Sequence, residues 1–299
     1  MAESTTCSSN SLAIGEPLAG TAPRASAWLL IEQPGAWGAK ALIESGLDAL
    51  LGAELDRRAK AVGAKALLVK RPDSRLTVGR RIVLACPSPG ASFIEELIVE
   101  DMAEVLLDLD LAAIVRGEPP GLGRIIDGPL YLVCTNGRRD ACCARLGARV
   151  AQALAAERPD CVWECSHLGG HRFAANVVCL PDGVCYGRVA AKDVTLLADA
   201  FERRELVLSM LRGRAALPPS VQAAETFLRE HLGLVRMDEL TVTASSELEA
   251  VFGAADGCRH RVQVELVEGP ERPASCGEQP EPSEHYELHS IETQASAAV

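Results

Sequence analysis

The sequence predicts an α/β fold whose central part runs strand, helix, strand, hairpin and helix. Three observations support this prediction. Between residues 126 and 204, short apolar runs of strand length alternate with longer helical patterns. A segment of helix length separates the first two runs, as in a parallel βαβ unit. The last two runs flank Pro181-Asp182-Gly183, whose residue types favour a hairpin turn.

The elements of this central part follow in order. Pro129–Cys134 has the length of a buried strand, and Asn136-Gly137 favours a turn. Asp140 is placed to cap a helix from about Ala141 to Glu157, which has apolar residues four apart. The remaining predicted elements are strands at Cys161–Cys165, Phe173–Leu180 and Val184–Val189 and a helix at about Lys192–Arg204. A βαβ unit followed by a ββα unit is the core of the thioredoxin fold, so the prediction is a thioredoxin-like α/β fold.

The N-terminal half has a similar rhythm and is interpreted as a second, degenerate thioredoxin-like unit. Its predicted strands are Trp28–Glu32, Ala66–Lys70, Arg81–Cys86 and Ile94–Val99, with helices at Trp37–Val62, broken near Gly46, and at Leu109–Val115. The predicted organisation is therefore a flexible N-terminus over 1–25, a degenerate unit over 26–116 and the main unit over 126–204. An α+β extension with a mobile, Pro- and Glu-rich tail is predicted over 217–299.

Composition narrows the class of protein. The chain of 299 residues has a formal charge of −11, which argues against nucleic-acid binding because phosphate recognition needs clustered cations. No apolar run reaches the ~20 residues of a membrane span, and the first residues lack the features of a signal peptide. We therefore expect a cytoplasmic protein, in which the eleven cysteines serve as thiols, metal ligands or redox groups rather than disulfides.

Cysteines and histidines follow the first two predicted strands of the main unit. Cys134 closes the first strand, and Cys142 and Cys143 begin the helix; His167 and His171 follow the second strand. Neighbouring parallel strands end at the same edge of a sheet, so the two loops are expected to converge. Thiolate and imidazole suit iron–sulfur clusters and zinc, and a [2Fe–2S] cluster needs two ligands per iron. Spacing alone does not choose between Cys142 and Cys143.

Two segments carry a family resemblance. CTNGRRDACC (Cys134–Cys143) and WECSHLGGHRFAANVVCLPDGVCYGRV (Trp163–Val189) resemble the sucrase/ferredoxin-like family, a branch of the thioredoxin-like [2Fe–2S] ferredoxins. The N-terminal WLLIEQPGAWG (Trp28–Gly38) is also similar to bacterial members. The resemblance implies a [2Fe–2S] cluster held by Cys134, His167 and His171, with Cys143 rather than Cys142 as the fourth ligand.

The predicted function is electron transport or redox sensing by a non-enzymatic carrier. Two neutral imidazoles in place of thiolates raise the reduction potential and make it depend on pH. The chain shows no nicotinamide or flavin fingerprint, so a redox partner protein, a reductase or an electron acceptor, is expected. A candidate docking surface for an acidic partner comprises Arg138, Arg139, Arg145, Arg149, Arg172 and Arg188. The alternatives are a thioredoxin-like thiol–disulfide oxidoreductase and an interaction protein with a Cys2His2 zinc site.

Overall fold

The computed structural model describes residues 6–72 and 79–295. The first half begins with a short helix outside the sheet and continues as alternating strands and helices. Its elements are α1 (Cys7–Ala13), β1 (Ala27–Glu32), α2 (Ala49–Ala61), β2 (Ala64–Lys70), β3 (Arg80–Cys86), β4 (Phe93–Val99), α3 (Met102–Asp108), α4 (Leu111–Val115) and β5 (Arg124–Ile125).

The second half contains the elements predicted for the main unit and one further strand. They are β6 (Leu130–Cys134), α5 (Ala141–Glu157), β7 (Val162–Cys165), β8 (Val177–Leu180), β9 (Val184–Tyr186), α6 (Val194–Glu202) and β10 (Leu211–Arg214). The C-terminal region adds α7 (Pro219–Leu232), β11 (Leu240–Ser245), β12 (Glu249–Ala254), β13 (Arg259–Pro273) and β14 (Pro280–Gln294). The α/β fold class is confirmed.

Within the described residues, β1 to β10 form one sheet in the order β10-β9-β8-β6-β7-β2-β1-β3-β4-β5. As predicted, β6 and β7 are parallel, and β8 and β9 form an antiparallel hairpin. The same pattern occurs in the first half, where β1 and β2 are parallel and β3 and β4 antiparallel. The two halves join through a short antiparallel pairing of β2 with β7. The interpretation as two tandem thioredoxin-like units stays a prediction.

Helix α5 occupies the predicted range, and its sequence explains both its start and its packing. The carboxylate of Asp140 accepts a hydrogen bond of 2.8 Å from the backbone N–H of Cys142, which caps the helix. Val150, Ala151 and Leu154 face the sheet and are buried against β6 and β8 residues such as Val133. The cap and the apolar stripe therefore place the first turn of α5 beside the end of β6.

A helical region was predicted over residues 37–62 with a break near Gly46, and only the part after that break is helical. Residues 37–48 form turns and bends, and α2 begins after Asp48, whose side chain accepts from the backbone N–H of Leu51 at 2.9 Å. The indole N–H of Trp37 donates to the carbonyl of Gln33 at 2.9 Å and holds the preceding segment as a loop. Helix α3, which Asp101 caps, was not predicted.

The predictions for the two ends of the chain are wrong in the described residues. In the predicted flexible N-terminus, residues 6–25 contain α1 and several buried side chains, among them Cys7 and Ala25; the prediction for residues 1–5 lies outside the described residues. The predicted mobile tail forms a hairpin of β13 and β14, each of 15 residues, within the four-stranded sheet β11-β12-β13-β14. Buried His260, Val262 and Val264 alternate with exposed residues along β13, and this period of two outweighs the polar composition.

Candidate metal centre

The two loops predicted to converge do meet at one edge of the sheet. β6 and β7 are paired in parallel with Cys134 opposite Cys165, so the segments that follow them start side by side. The sulfur atoms of Cys134 and Cys143 and a ring nitrogen of His167 lie within 4.8 Å of one another. Both cysteines are buried, and His167 is half-buried at the surface of the protein. Three of the four predicted site residues are therefore in mutual contact range.

His171, the fourth predicted residue, lies next to His167. Their ring centroids are 5.1 Å apart with the ring planes tilted by 35°. Gly169 and Gly170 connect the two histidines at φ of 103° and 70°, a conformation that favours glycine. A Cβ on Gly170 would also lie 2.9 Å from the guanidinium carbon of Arg212. The two glycines therefore allow the tight turn that brings the imidazoles together.

The turn between the histidines is held by Arg212, which projects from β10 and is fully buried. Its guanidinium donates to the carbonyl of Gly169 at 3.1 Å and to the side-chain oxygen of Asn176 at 2.8 Å. The amide nitrogen of Asn176 in turn donates to the carbonyl of Gly170 at 2.9 Å. Hydrogen bonds from Arg212 and Asn176 thus fix the backbone of the loop between the histidines, as a preorganised site requires.

The ring nitrogens of His167 and His171 differ in their hydrogen bonding. Among the described residues, Nδ1 of His167 and Nδ1 of His171 are buried and have no hydrogen-bond partner. Nε2 of His171 is paired, at 2.8 Å, with the hydroxyl of Ser275. Buried unpaired nitrogens are rare, and metal-binding histidines usually hydrogen-bond through their second nitrogen. A thiolate and imidazole centre therefore fits these residues, with the Nδ1 atoms as the free ligands.

The protonation states of the Cys134 and Cys143 thiols depend on each other. The pKa of Cys134 is held well below its usual range by a hydrogen bond with Cys143 and by His167, and these outweigh the opposing effect of burial. The pKa of Cys143 is raised by its contact with Cys134 and by burial. The pair therefore favours one thiolate and one thiol, and a cation would stabilise the second negative charge.

Cys142 does not contact Cys134, so the structure separates the two adjacent cysteines. Successive residues of an α-helix point about 100° apart, and buried Cys142 faces α1 and the tip of the β13–β14 hairpin. There its sulfur lies 3.6 Å from Sγ of Cys7 and 3.3 Å from Sγ of Cys276. Buried Cys165 belongs to neither group of close donor atoms. The choice left open by spacing thus favours Cys143 on geometry.

The cluster of Cys7, Cys142, Cys276 and Asp140 was not anticipated from the sequence. Its cysteines come from α1, α5 and the tip of the β13–β14 hairpin, which are more than 130 residues apart along the chain. No short spacing connects them, and both chain ends were predicted to be flexible. The count of eleven cysteines was the one sequence signal that could have pointed to a second cluster of them.

The six arginines near the site fall into two groups. Arg172 binds Glu16 at 2.7 Å, and Arg188 donates to the carbonyl of Glu16 at 2.7 Å, so both hold the N-terminal segment against the site. The other four are exposed in the loop before α5 and along the first half of that helix; they are Arg138, Arg139, Arg145 and Arg149. The candidate docking surface is therefore reduced to these four residues.

A surface cavity of about 640 Å³ opens beside His167. Ser166 and His167 form part of its wall, together with apolar residues of the first half of the chain. Five cationic residues and one carboxylate also line it: Arg24, Lys40, Lys60, Lys65, Arg139 and Asp56. The cavity therefore gives water and anionic groups access to the half-buried imidazole of His167, whereas His171 is covered by the hairpin tip.

None of the helices in the described part of the chain has both the length and the hydrophobicity of a membrane span.

No curated protein matches the sequence. Two solved structures resemble it in part. The thioredoxin-like [2Fe–2S] ferredoxin from Aquifex aeolicus is 21% identical, with 31% of this chain and 97% of that chain covered and a TM-score of 0.28. A cysteine-to-serine variant of the same ferredoxin is 22% identical, with 28% and 97% covered and a TM-score of 0.26.

The family assignment rests on a longer match. The sucrase/ferredoxin-like family model matches residues 18–213, which is more than half of the chain and includes the strands and loops that carry Cys134, Cys143, His167 and His171. The chain belongs to the sucrase/ferredoxin-like family.

Proposed function

We propose that this protein holds a [2Fe–2S] cluster with Cys134, Cys143, His167 and His171 and acts as a one-electron carrier or redox sensor. The observation that supports this most is the group of Cys134, Cys143 and His167 donor atoms within 4.8 Å of one another, with the buried and unpartnered Nδ1 of His171 on the neighbouring ring. Family membership and the mixed thiolate and imidazole donor set agree with it.

The bound cluster would supply one-electron chemistry, with a potential raised by the two neutral imidazoles. The protein would control the protonation of the His171 ring. Ser275 holds Nε2 of His171 at 2.8 Å, and the carboxylate of Asp140 lies 3.9 Å from the same nitrogen. Loss of a proton from Nε2 would place a second negative charge near Asp140, so this carboxylate favours the protonated ring. The potential should therefore change with pH.

A partner protein would exchange electrons at the face formed by the cavity and the four exposed arginines. His167 is the most accessible of the four proposed ligands, and Arg139 lines the cavity next to it. In a chain of net charge −11, this local positive surface favours an acidic partner.

The adjacent cysteines of α5 provide a matched test. The protein is purified without air, and its iron, sulfide, visible absorption and EPR signal after reduction are measured. Cys143→Ser is expected to lose the red-brown colour and the S = 1/2 signal, because Cys143 lies beside Cys134. Cys142→Ser is expected to keep both, because its sulfur points to another cluster. Equal loss in both variants, or loss in Cys142→Ser alone, contradicts the proposed ligand set.

Two other functions would give different results in the same experiment. The three donor atoms within 4.8 Å would also suit one tetrahedral ion, so a zinc interaction protein would be colourless and contain zinc that depends on Cys134. A thiol–disulfide oxidoreductase would reduce disulfides in the absence of metal. The chain has no Cys-x-x-Cys pair at α5, and Cys142 and Cys143 face different surroundings, which weakens this alternative.

A further inference from the structure

The second cysteine cluster brings together three sulfur atoms and one carboxylate from distant parts of the chain. The Sγ atoms of Cys7, Cys142 and Cys276 form a nearly equilateral triangle with sides of 3.6, 3.3 and 3.5 Å. The carboxylate of Asp140 lies over this triangle, with its oxygens 3.6 Å from the sulfur of Cys7 and 3.3 Å from that of Cys276. All four donor atoms lie within 4.8 Å of one another.

These distances are close to those of a tetrahedral metal site. With metal–sulfur bonds of about 2.3 Å and a metal–oxygen bond of about 2.0 Å, the sulfur atoms would be about 3.8 Å apart and each sulfur about 3.5 Å from the oxygen. The observed sulfur–sulfur separations are only about 0.2 to 0.5 Å shorter than the expected ones. The two sulfur–oxygen distances lie on either side of the expected sulfur–oxygen distance. Small outward movements of the sulfur atoms would open the site for one ion.

The surroundings orient the donor atoms as an outer shell would. The carboxylate of Asp140 accepts from the backbone N–H groups of Cys142 and Cys276, each at 2.8 Å, and retains lone pairs for a further ligand. The hydroxyl of Ser8 donates to the sulfur of Cys142 at 3.1 Å. The cluster also lies at the N-terminus of α5, where the helix dipole stabilises negative charge. Cys7, Cys142 and Asp140 are buried, and Cys276 is half-buried.

We propose that Cys7, Cys142, Cys276 and Asp140 form a second metal site, which binds one thiophilic divalent cation of the zinc type. A Cys3Asp set is the soft, tetrahedral environment that zinc prefers. The site shares no ligand with the proposed cluster of Cys134, Cys143, His167 and His171. The ion would clamp α1 and the tip of the β13–β14 hairpin onto the start of α5.

The clamp would also position Ser275 against His171. Ser275 precedes Cys276 in the hairpin tip, and its hydroxyl is the partner of Nε2 of His171. Loss of the ion would free the tip and remove that hydrogen bond. A disulfide is a poorer explanation of the cluster, because the sulfur separations exceed the ~2.05 Å bond by more than 1 Å and any one pair would leave the third thiol unpaired.

The test measures zinc and iron per chain in the full-length protein. Wild type is expected to contain one zinc ion, which Cys7→Ser and Cys276→Ser lose while the iron and the visible spectrum of the cluster remain. Removing a ligand should weaken zinc binding more than ~100-fold, since outer-shell changes alone cost ~10- to 100-fold. Cys258→Ser removes a cysteine of the C-terminal sheet outside this cluster and should keep the zinc. In wild type, Co²⁺ in place of zinc should give a thiolate charge-transfer band.

A second measurement needs no variant. With zinc bound, the thiols of Cys7, Cys142 and Cys276 should resist alkylation by iodoacetamide, and a chelator should make all three reactive together. The proposal is overturned if wild type takes up neither zinc nor Co²⁺ at these thiols, if its zinc persists in Cys7→Ser, or if freshly reduced protein contains a disulfide between two of them. Zinc that disappears in Cys134→Ser but not in Cys7→Ser would place the ion at the first site. That result refutes this inference, whereas missing iron with zinc still dependent on Cys7 refutes only the [2Fe–2S] proposal.

Discussion

Gly147 lets α5 lie directly against the end of β6, and adding one methyl group there should damage the proposed cluster site. A Cβ at Gly147 would lie 3.1 Å from the carbonyl carbon of Cys134 and closer still to its oxygen. Ordinary contact between carbon atoms is about 3.5–4.0 Å, so the helix must move away from the strand. Cys143 is one turn earlier on the same helix, and Gly147→Ala should therefore separate Cys143 from Cys134.

The size of the effect follows from two opposing terms. Overpacking a tight interior destabilises a protein by about 1–3 kcal/mol, whereas replacing glycine by alanine within a helix stabilises it by about 1 kcal/mol. The free energy of unfolding should therefore fall by about 0–2 kcal/mol. The bound cluster requires the original spacing of the two sulfur atoms, so the full strain of about 1–3 kcal/mol opposes binding. That corresponds to a loss of roughly 5- to 150-fold in affinity.

The assay measures thermal unfolding and the rate at which a chelator removes iron from anaerobically purified protein. Gly52→Ala is the matched control, because Gly52 lies in α2, which carries none of the proposed ligands, and its Cβ would lie 2.7 Å from the carbonyl carbon of Leu42. Gly52→Ala should lower the unfolding temperature and leave iron release unchanged, whereas Gly147→Ala should accelerate release. If Gly147→Ala keeps its iron as firmly as the control, or unfolds above wild type, the close approach of α5 to β6 does not hold the site.

Three further predictions concern protonation, stability and surface charge. Ser275→Ala removes the partner of Nε2 of His171 and should shift the pH range over which the reduction potential changes, measured by voltammetry; an unchanged profile would show that the hydroxyl has no effect on the ring. Burial alone would raise the pKa of Glu225, but Arg214 and Arg229 outweigh burial, so the folded-state pKa is lowered. The ionised Glu225 therefore stabilises the fold above its unfolded-state pKa of about 4.3, and this stabilisation is lost as the pH falls through the folded-state pKa. Glu225→Gln should therefore cost about 3–5 kcal/mol in urea unfolding at pH 7, with the difference from wild type narrowing in acid; a constant difference would contradict this. Arg145→Glu should slow oxidation of the reduced protein by ferricyanide several-fold and speed oxidation by hexaammineruthenium(III), and equal effects on both would exclude an electrostatic role for this surface.

Most of the secondary structure around the site could be predicted because local rules and tertiary packing agree there. Asp140 is a good cap, the apolar residues of α5 recur at helical spacing, and β6 is a short apolar run, so the predicted helix has the observed bounds. Residues 37–48 were misjudged because their apolar residues pack as a loop over β1, with Trp37 bonded to Gln33 instead of a helical neighbour. Composition misled at β14, where strand pairing rather than hydrophobicity sets the conformation.

The residues of the proposed cluster site could be singled out from the sequence, whereas those of the second cysteine cluster could not, because they lie far apart along the chain. Cys134, Cys143, His167 and His171 lie within 38 residues, on loops that any parallel βαβ unit brings to one edge. Cys7 and Cys276 lie near opposite ends of the chain, and only the packing of α1 and the hairpin tip on α5 brings them to Cys142. No residue spacing encodes that contact.

The sequence by itself determined the α/β class, the βαβ arrangement of the main unit and the choice of the four residues proposed to hold the cluster. Local periodicity, capping and turn chemistry act over a few residues and can be read directly from the chain. The tertiary structure decided which of two adjacent cysteines faces Cys134, which arginines remain exposed and where the chain ends pack. Those outcomes depend on helix rotation and on contacts between segments up to 269 residues apart, because side-chain direction and long-range packing are properties of the folded chain as a whole.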